Sequence, residues 1–258
     1  MALCGRQESP TICIMQTKQG EAANRVAVIT GASGGIESAV AKALRLSGWS
    51  LVLTARSTEK LNRLASELGP SAAAVPGDMC DAGLPERLLR EALQKFGRCD
   101  LCFNNAGILE VGSVEKIDID RVCEMVRVNV ESAYRLMYTF ARHFARAGAG
   151  HLMSVSSVLG TKVRPTAGAY AGTKYAIEAL SEALRVELSR TDVKVSCIEP
   201  GLVRTGLHDR WEVHPSEAMG IREPLSPDDV ARMVLFLVDQ PSHVRIPRLM
   251  ILPRDHEI

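Results

Sequence analysis

The sequence has no apolar run approaching the roughly 18–20 residues that a membrane-spanning helix needs, so a membrane partner is not expected. It has no excess of either charge. Its 31 Lys and Arg stand against 30 Asp and Glu, a formal net charge of +1. No global field therefore argues for nucleic acid or an anionic membrane. A second Cys-x-x-Cys is missing, as is any nearby His pair, to complete the one at Cys99 and Cys102. Metal or redox sites need such partners, so these two cysteines read as strand residues and no metal is expected. The seven cysteines are an odd count scattered along the chain. That fits reduced thiols in the cytoplasm rather than a disulfide framework. The first 24 residues lack the continuous apolar stretch of a signal peptide, and nothing apolar precedes Cys4 as in a lipoprotein box. They read as a loose N-terminal extension.

What is present is a regular alternation. Val26-Ala27-Val28-Ile29 is a short apolar run, the pattern of a strand buried on both faces. Residues 36–46 then repeat apolar side chains at helical spacing. The pattern recurs with strands at 50–54, 73–75, 100–104, 151–156, 193–198 and 248–252. Helices are expected at 58–68, 84–96, 167–190 and 228–239, and one extended helix over 120–147 with a break near its start. Such alternation predicts parallel strands joined by right-handed crossovers. The fold class is α/β: a Rossmann-type, doubly wound, parallel seven-stranded sheet with helices on both faces. Residues 25–258 form one catalytic domain, a size that buries a sizeable core. Residues 202–227, with Trp211 and few apolar runs, interrupt the rhythm and read as a lid.

Thr30-Gly31-Ala32-Ser33-Gly34-Gly35-Ile36 joins the first strand to the first helix. Glycines there let the backbone approach a pyrophosphate, and the helix start offers free N–H groups. This predicts a dinucleotide site at Gly31, Ser33, Gly34, Gly35 and Ile36. At the end of the second strand an acidic residue would bind a ribose 2′-hydroxyl. The chain has Thr54-Ala55-Arg56 instead, and the Arg56 fork suits a 2′-phosphate. The expected cofactor is NADP, with NAD as the alternative. Tyr170 and Lys174 stand four apart on a helix and share a face. A nearby ammonium lowers a phenol from its usual pKa of about 10, so the pair can move a proton. Ser157 ends a strand on the ligand-binding edge and can hydrogen-bond the substrate oxygen that Tyr170 serves.

With these motifs in place, the chain resembles the compact, single-domain branch of the short-chain dehydrogenases/reductases, from about Arg25 to the C-terminus. Thr30-Gly31-x-x-x-Gly35 matches that family's cofactor turn. The resemblance implies that Asp78 contacts the adenine and that Asn104-Asn105-Ala106-Gly107 steadies the sheet beside the cofactor. It implies that Asn129 holds a relay water, and that Lys174 holds the nicotinamide ribose. Pro200, Gly201, Val203 and Thr205 would lie beside the nicotinamide. The implied activity is hydride transfer between NADP(H) and a carbonyl or secondary alcohol, the substrate being a small molecule. The C-terminal stretch resembles that of hydroxy-acid, serine and clavulanate-forming members, which points to a small hydroxy or keto acid or a polar ketone. In the lid, either Arg210 or Arg222 would hold a carboxylate, or, equally, Leu207, Trp211 and Met219 would line an apolar pocket for a ketone, aldehyde or steroid. A homodimer or homotetramer is implied, built on the helices that contain Asn129 and Tyr170. Tyr134, Leu136, Met137, Tyr138 and Phe140 would either supply its surface or pack on the sheet.

One position departs from the pattern. Glu37 stands where the family turn has its third glycine. Close to a pyrophosphate its charge would repel, by about 1 kcal/mol at 4 Å in water and more where shielded. In a helix's first turn the same charge is favoured by roughly 0.3–1 kcal/mol, and the side chain can point outward. The expectation is weakened cofactor binding. The alternative function is a non-catalytic or cofactor-impaired dinucleotide-binding scaffold on the same fold.

Overall fold

The computed structural model describes residues 24–209, 211 and 213–258. Most of the N-terminal extension, residues 1–23, and Arg210 lie outside the described residues. Seven strands form one sheet in the order β3-β2-β1-β4-β5-β6-β7, every pairing parallel. They are β1 (Val26–Thr30), β2 (Ser50–Thr54), β3 (Ala72–Ala74), β4 (Leu101–Asn104), β5 (Ala149–Val155), β6 (Asp192–Pro200) and β7 (Arg248–Ile251). The helices are α1 (Gly35–Leu46), α2 (Thr58–Leu68), α3 (Leu84–Phe96), α4 (Ile119–Val126), α5 (Ser132–Ala147), α6 (Gly168–Glu187), α7 (Pro215–Ala218) and α8 (Pro227–Val238).

Alternate side chains of each inner strand feed two separate cores. Val26, Val28, Val52 and Cys102 pack under α3, α5 and α6, against Leu88, Phe140, Phe144 and Leu184. Ala27, Ile29, Leu51, Leu53 and Phe103 pack under α1, α2 and α8, against Val40, Leu44, Leu61 and Val234. Burial on both faces is why these strands read as unbroken apolar runs. Local signals set the helix ends. Ser57 accepts from Lys60 N at the start of α2. Ser226 and Asp229 form a reciprocal capping box on α8, with Pro227 in its first turn. Gly97 and Gly148 close α3 and α5 in the left-handed conformation.

The helix expected over 120–147 is α4, a π-helical turn at Arg127–Glu131, and α5. A π turn adds one residue to the helical repeat. It carries Asn129, which is buried. On α5, Leu136, Met137 and Phe140 are buried against the sheet. Tyr134 Oη donates to Ala176 O at 2.9 Å, tying α5 to α6. Of the five residues considered for an oligomer surface, Tyr138 is the exposed one. Cys99 and Cys102 are both buried core residues, and burial pushes both thiols up.

Residues 202–227 are pinned at their neck. Val203 and Leu225 form a parallel bridge, with Arg204 N donating to Leu225 O at 2.8 Å and Leu225 N to Leu202 O at 2.9 Å. Between these ends lie a 3₁₀ turn at Gly206–His208 and α7. Among the described residues no helix is long and apolar enough to cross a membrane.

Phe140 is fully buried and lies 6.0 Å, centroid to centroid, from Phe144. Phe140→Ala should lower unfolding stability by about 3–5 kcal/mol. Urea denaturation with an unchanged m-value would measure it.

Candidate active site

The sheet order turns back on itself at β1, whose neighbours are β2 and β4. Ligands of such sheets bind at this point, beyond the strands' carboxyl ends. The turn leaving β1 is held tightly. Thr30 Oγ1 accepts from Asn105 N and Ala106 N, both at 3.3 Å. Gly34 N donates to Gly31 O at 2.8 Å. Gly31 has φ +75°, and a Cβ there would lie 3.1 Å from Ala106 Cα, so both conformation and space call for glycine. Gly34 caps α1 with no side-chain acceptor. The first N–H groups of α1 are thus presented to whatever anion sits there.

Glu37 turns inward. It is 7% exposed, and its Oε1 accepts a hydrogen bond from Asn105 Nδ2. Its carboxyl oxygens lie so close to Gly31 and Gly34 that a Cβ on either would collide with them. Burial pushes its pKa up to about 7, opposed by its own backbone N–H, by Asn105 and by the Lys174 charge. Of the two orientations open from sequence, the outward one is not adopted. The side chain lies in the phosphate cradle of the turn. A dinucleotide nevertheless fits these residues. The glycines keep the backbone cradle open to all but the tip of one flexible side chain, which can swing aside.

Ser157 follows β5 and accepts from Leu159 N at 3.1 Å, starting the 3₁₀ turn Val158–Gly160. Tyr170 and Lys174 occupy the first turns of α6. Lys174 is buried, and its Nζ donates to Val155 O at 2.9 Å. It lies 5.7 Å from the Tyr170 ring centroid. Burial pushes Lys174 down to about 8, against the opposing charges of Cys197, Glu37 and Glu178. Burial pushes the Tyr170 phenol up to about 12, opposed by its hydrogen bond with Ser157 and by the Arg164 charge. The expected lowering of the phenol by Lys174 is therefore not what this geometry gives. The ammonium faces a backbone carbonyl, and burial outweighs what opposes it. Asn129 grips the loop after β4: its Oδ1 accepts from Ile108 N at 2.8 Å and its Nδ2 donates to Ile108 O at 2.9 Å. Nδ2 also lies 3.2 Å from Thr173 Oγ1, beside Lys174.

These groups border one cleft of about 450 Å³. It brings together Ser33, Gly34, Gly35, Ile36, Asn105, Gly107, Ser157, Tyr170, Lys174, Pro200, Gly201, Val203 and Thr205 from the expected set. Leu207, Trp211 and Met219 line it too, as expected of the lid. Gly31, Ala106 and Asn129 support it from behind. Arg56 and Asp78 are exposed and stand outside its wall. Asp78 Oδ1 accepts from Cys80 N at 2.9 Å. Arg222 does not line the cleft, and its guanidinium makes two 2.9 Å hydrogen bonds to Asp255. Sequence reasoning missed Lys60, Arg164, His208 and His256, which all line the cleft. Isolated basic residues carry no local signal of this kind.

The model of the short chain dehydrogenase family matches residues 25–215. An uncharacterized oxidoreductase of Staphylococcus aureus is 32% identical over 231 residues, covering 89% of this chain and 97% of that protein. The solved structure of an alcohol dehydrogenase from Thermococcus sibiricus, complexed with 5-hydroxy-NADP, is 31% identical with a TM-score of 0.81. The match covers 91% of this chain and 98% of that one. A 3-ketoacyl-(acyl-carrier-protein) reductase from Brucella melitensis, complexed with NADH, is 28% identical with a TM-score of 0.82. That match covers 89% and 97% of the two chains.

Glu37 generates a paired prediction. Its pKa is raised from 4.5 to about 7 on folding, so the fold favours the neutral acid. The associated stability is full below about 4.5 and is lost as pH rises through about 7. It amounts to about 3 kcal/mol. Glu37→Gln should abolish this pH-dependent loss in urea titrations at pH 5 and pH 8. Ionised Glu37 also repels a pyrophosphate. Fluorescence titration should show NADPH binding weakening about tenfold from pH 6 to pH 8, and Glu37→Gly should bind more tightly with a flatter pH profile. An unchanged dissociation constant in Glu37→Gly would mean that the site accommodates the side chain at no cost.

Proposed function

The chain belongs to the short-chain dehydrogenase family of oxidoreductases, and we propose that it transfers a hydride between NADP(H) and a carbonyl or secondary alcohol. The observation that carries this reading is the meeting of Ser157, Tyr170 and Lys174 with the glycine turn in one cleft at the carboxyl edge of the sheet. When bound, the nicotinamide supplies the hydride. The protein's own task is to hold the substrate oxygen and manage its proton.

Tyr170 protonates that oxygen. Burial holds its phenol in the neutral, proton-donating form. Ser157 lies beside Tyr170 and orients the same oxygen. Lys174, whose Nζ donates to Val155 O in the cleft, would hold the nicotinamide ribose. Asn129 fixes the loop carrying Gly107 and Ile108 and, through Thr173, the Lys174 turn. Gly31, Ser33, Gly34, Gly35 and Ile36 take the pyrophosphate, and Asn105, Ala106 and Gly107 flank it. Asp78 takes the adenine. Pro200, Gly201, Val203 and Thr205 border the nicotinamide. The 2′-phosphate falls to Arg56 just after β2, helped by Lys60 in the first turn of α2, the end of β2 itself carrying Thr54-Ala55 rather than an acidic residue. NAD stands as the alternative cofactor, and the relative complexed with NADH shows that the family's fold takes either.

We place the protein in the cytoplasm, in keeping with the free thiols of Cys80, Cys99, Cys102, Cys123 and Cys197. We place its oligomer contacts, in a homodimer or homotetramer, on α5 and α6, where Tyr138 and Tyr175 are exposed.

A carbonyl panel followed by NADPH absorbance tests the reading. Tyr170→Phe should lower turnover at least about 100-fold while leaving NADPH binding intact. Near-normal turnover would overturn the role of Tyr170. Arg56→Ala should raise the KM for NADPH about tenfold and leave that for NADH unchanged; a wild-type preference for NADH would overturn the cofactor assignment. A wild-type chain that binds neither cofactor would favour the scaffold alternative.

A further inference from the structure

We propose that the end of the cleft beyond Tyr170 is an anion subsite built on Arg164, and that the substrates carry a carboxylate besides the reacting carbonyl or alcohol. The inference rests on the oxidoreductase reading above and names the substrate class for the same site.

Arg164 lies in the segment between the Ser157 turn and α6. Its side chain is half-buried and lines the cleft with Ser157 and Tyr170. Nη1 reaches across to the lid and donates to Met219 Sδ at 2.9 Å. A thioether is a weak acceptor, so the guanidinium fork is left without a strong partner. Several other arginines do have acidic partners. Arg87, Arg121, Arg185, Arg222 and Arg248 each face an Asp or Glu. Arg164 makes no ion pair among the described residues.

Its surroundings point the same way. Val111, Leu159 and Trp211 supply apolar wall at this end. A charge half-withdrawn from water among such groups is costly until paired. The charge of Arg164 also acts on Tyr170 and on the cleft residues His208 and His256, lowering each. Asp209 is the acidic side chain on this wall. It belongs to the Gly206–His208 turn, and its charge acts on His208. A carboxylate matches the planar fork with two parallel hydrogen bonds. Held there, it would fix the remaining carbonyl within reach of Tyr170 and Ser157. Arg164 is thus a specificity-determining residue. The more obvious lid candidate, Arg222, is already committed to Asp255.

The test compares short keto acids with their methyl esters, using NADPH and the full-length protein. Wild-type enzyme should prefer the acids. Arg164→Gln should lower kcat/KM for the acids about 100-fold, chiefly through KM, and change the esters less than about threefold. Arg164→Lys keeps the charge and should restore part of the preference. Thermal melting checks that each variant folds. Equal loss on acids and esters would assign Arg164 a structural role and overturn the proposal. Turnover of esters and neutral ketones without preference for acids would also overturn it, while leaving the oxidoreductase reading intact. A second measurement does not depend on turnover. Titration calorimetry with unreactive short carboxylates, with and without saturating NADP+, should show binding to wild type that Arg164→Gln loses. Equal binding to both proteins overturns the subsite whether or not any carbonyl is reduced.

Discussion

All seven strands run in one direction, so all their carboxyl ends lie on one edge, and every group of the site must be delivered to that edge. β1 brings the glycine turn, β4 brings Asn105 to Gly107, β5 brings Ser157, and β6 brings Pro200 and Gly201. These segments are far apart in sequence. Only the parallel register, in which Val28 pairs with both Val52 and Cys102, lines up their exits. The same constraint explains the composition of the strands. A parallel sheet needs helical crossovers on both faces, and β1 is consequently buried along its whole length. Core and site are two consequences of one topology.

Within that frame, Glu37 is where the local and the global preferences conflict. A carboxylate in the first turn of α1 gains roughly 0.3–1 kcal/mol from the helix dipole. Burial outweighs that gain, since the group is pushed up to about 7. The carboxyl stays inside because the turn presents donors there: the Glu37 backbone N–H and the Asn105 amide. Those donors form the cradle offered to a phosphate. The side chain therefore competes with the cofactor for the feature that makes the cofactor site. It also reaches the chemistry, because its charge and that of Lys174 act on one another.

The strands and most helices were legible because two-sided burial leaves apolar runs of the right length and one-sided burial leaves apolar residues at helical spacing. The π turn around Asn129 was not, since one inserted residue has no compositional mark and only its buried hydrogen bonds to Ile108 reveal it. The Tyr170–Lys174 spacing did predict a shared face. It did not predict that the ammonium would face Val155 O rather than govern the phenol. Side-chain direction was the other blind spot. Nothing near Glu37 distinguishes an inward from an outward carboxylate. Arg222 looked available because its partner Asp255 lies 33 residues away, and nothing singled out Arg164, whose contact Met219 in the lid is distant in sequence.

The proton balance at Tyr170 follows from the same enclosure. Removing the phenol from water favours its neutral form, and the two opposing groups, Ser157 and Arg164, recover only part of the shift. For carbonyl reduction this is the useful state, because the donor is loaded before substrate arrives. For alcohol oxidation the phenol must first lose its proton, which the same burial disfavours. A substrate carboxylate on Arg164 would cancel part of the positive charge acting on the phenol and strengthen the neutral form further. The positive charge of an oxidised nicotinamide, when bound, would act the other way. The balance between these charges, all gathered on one edge of the sheet, sets how readily Tyr170 gives up its proton.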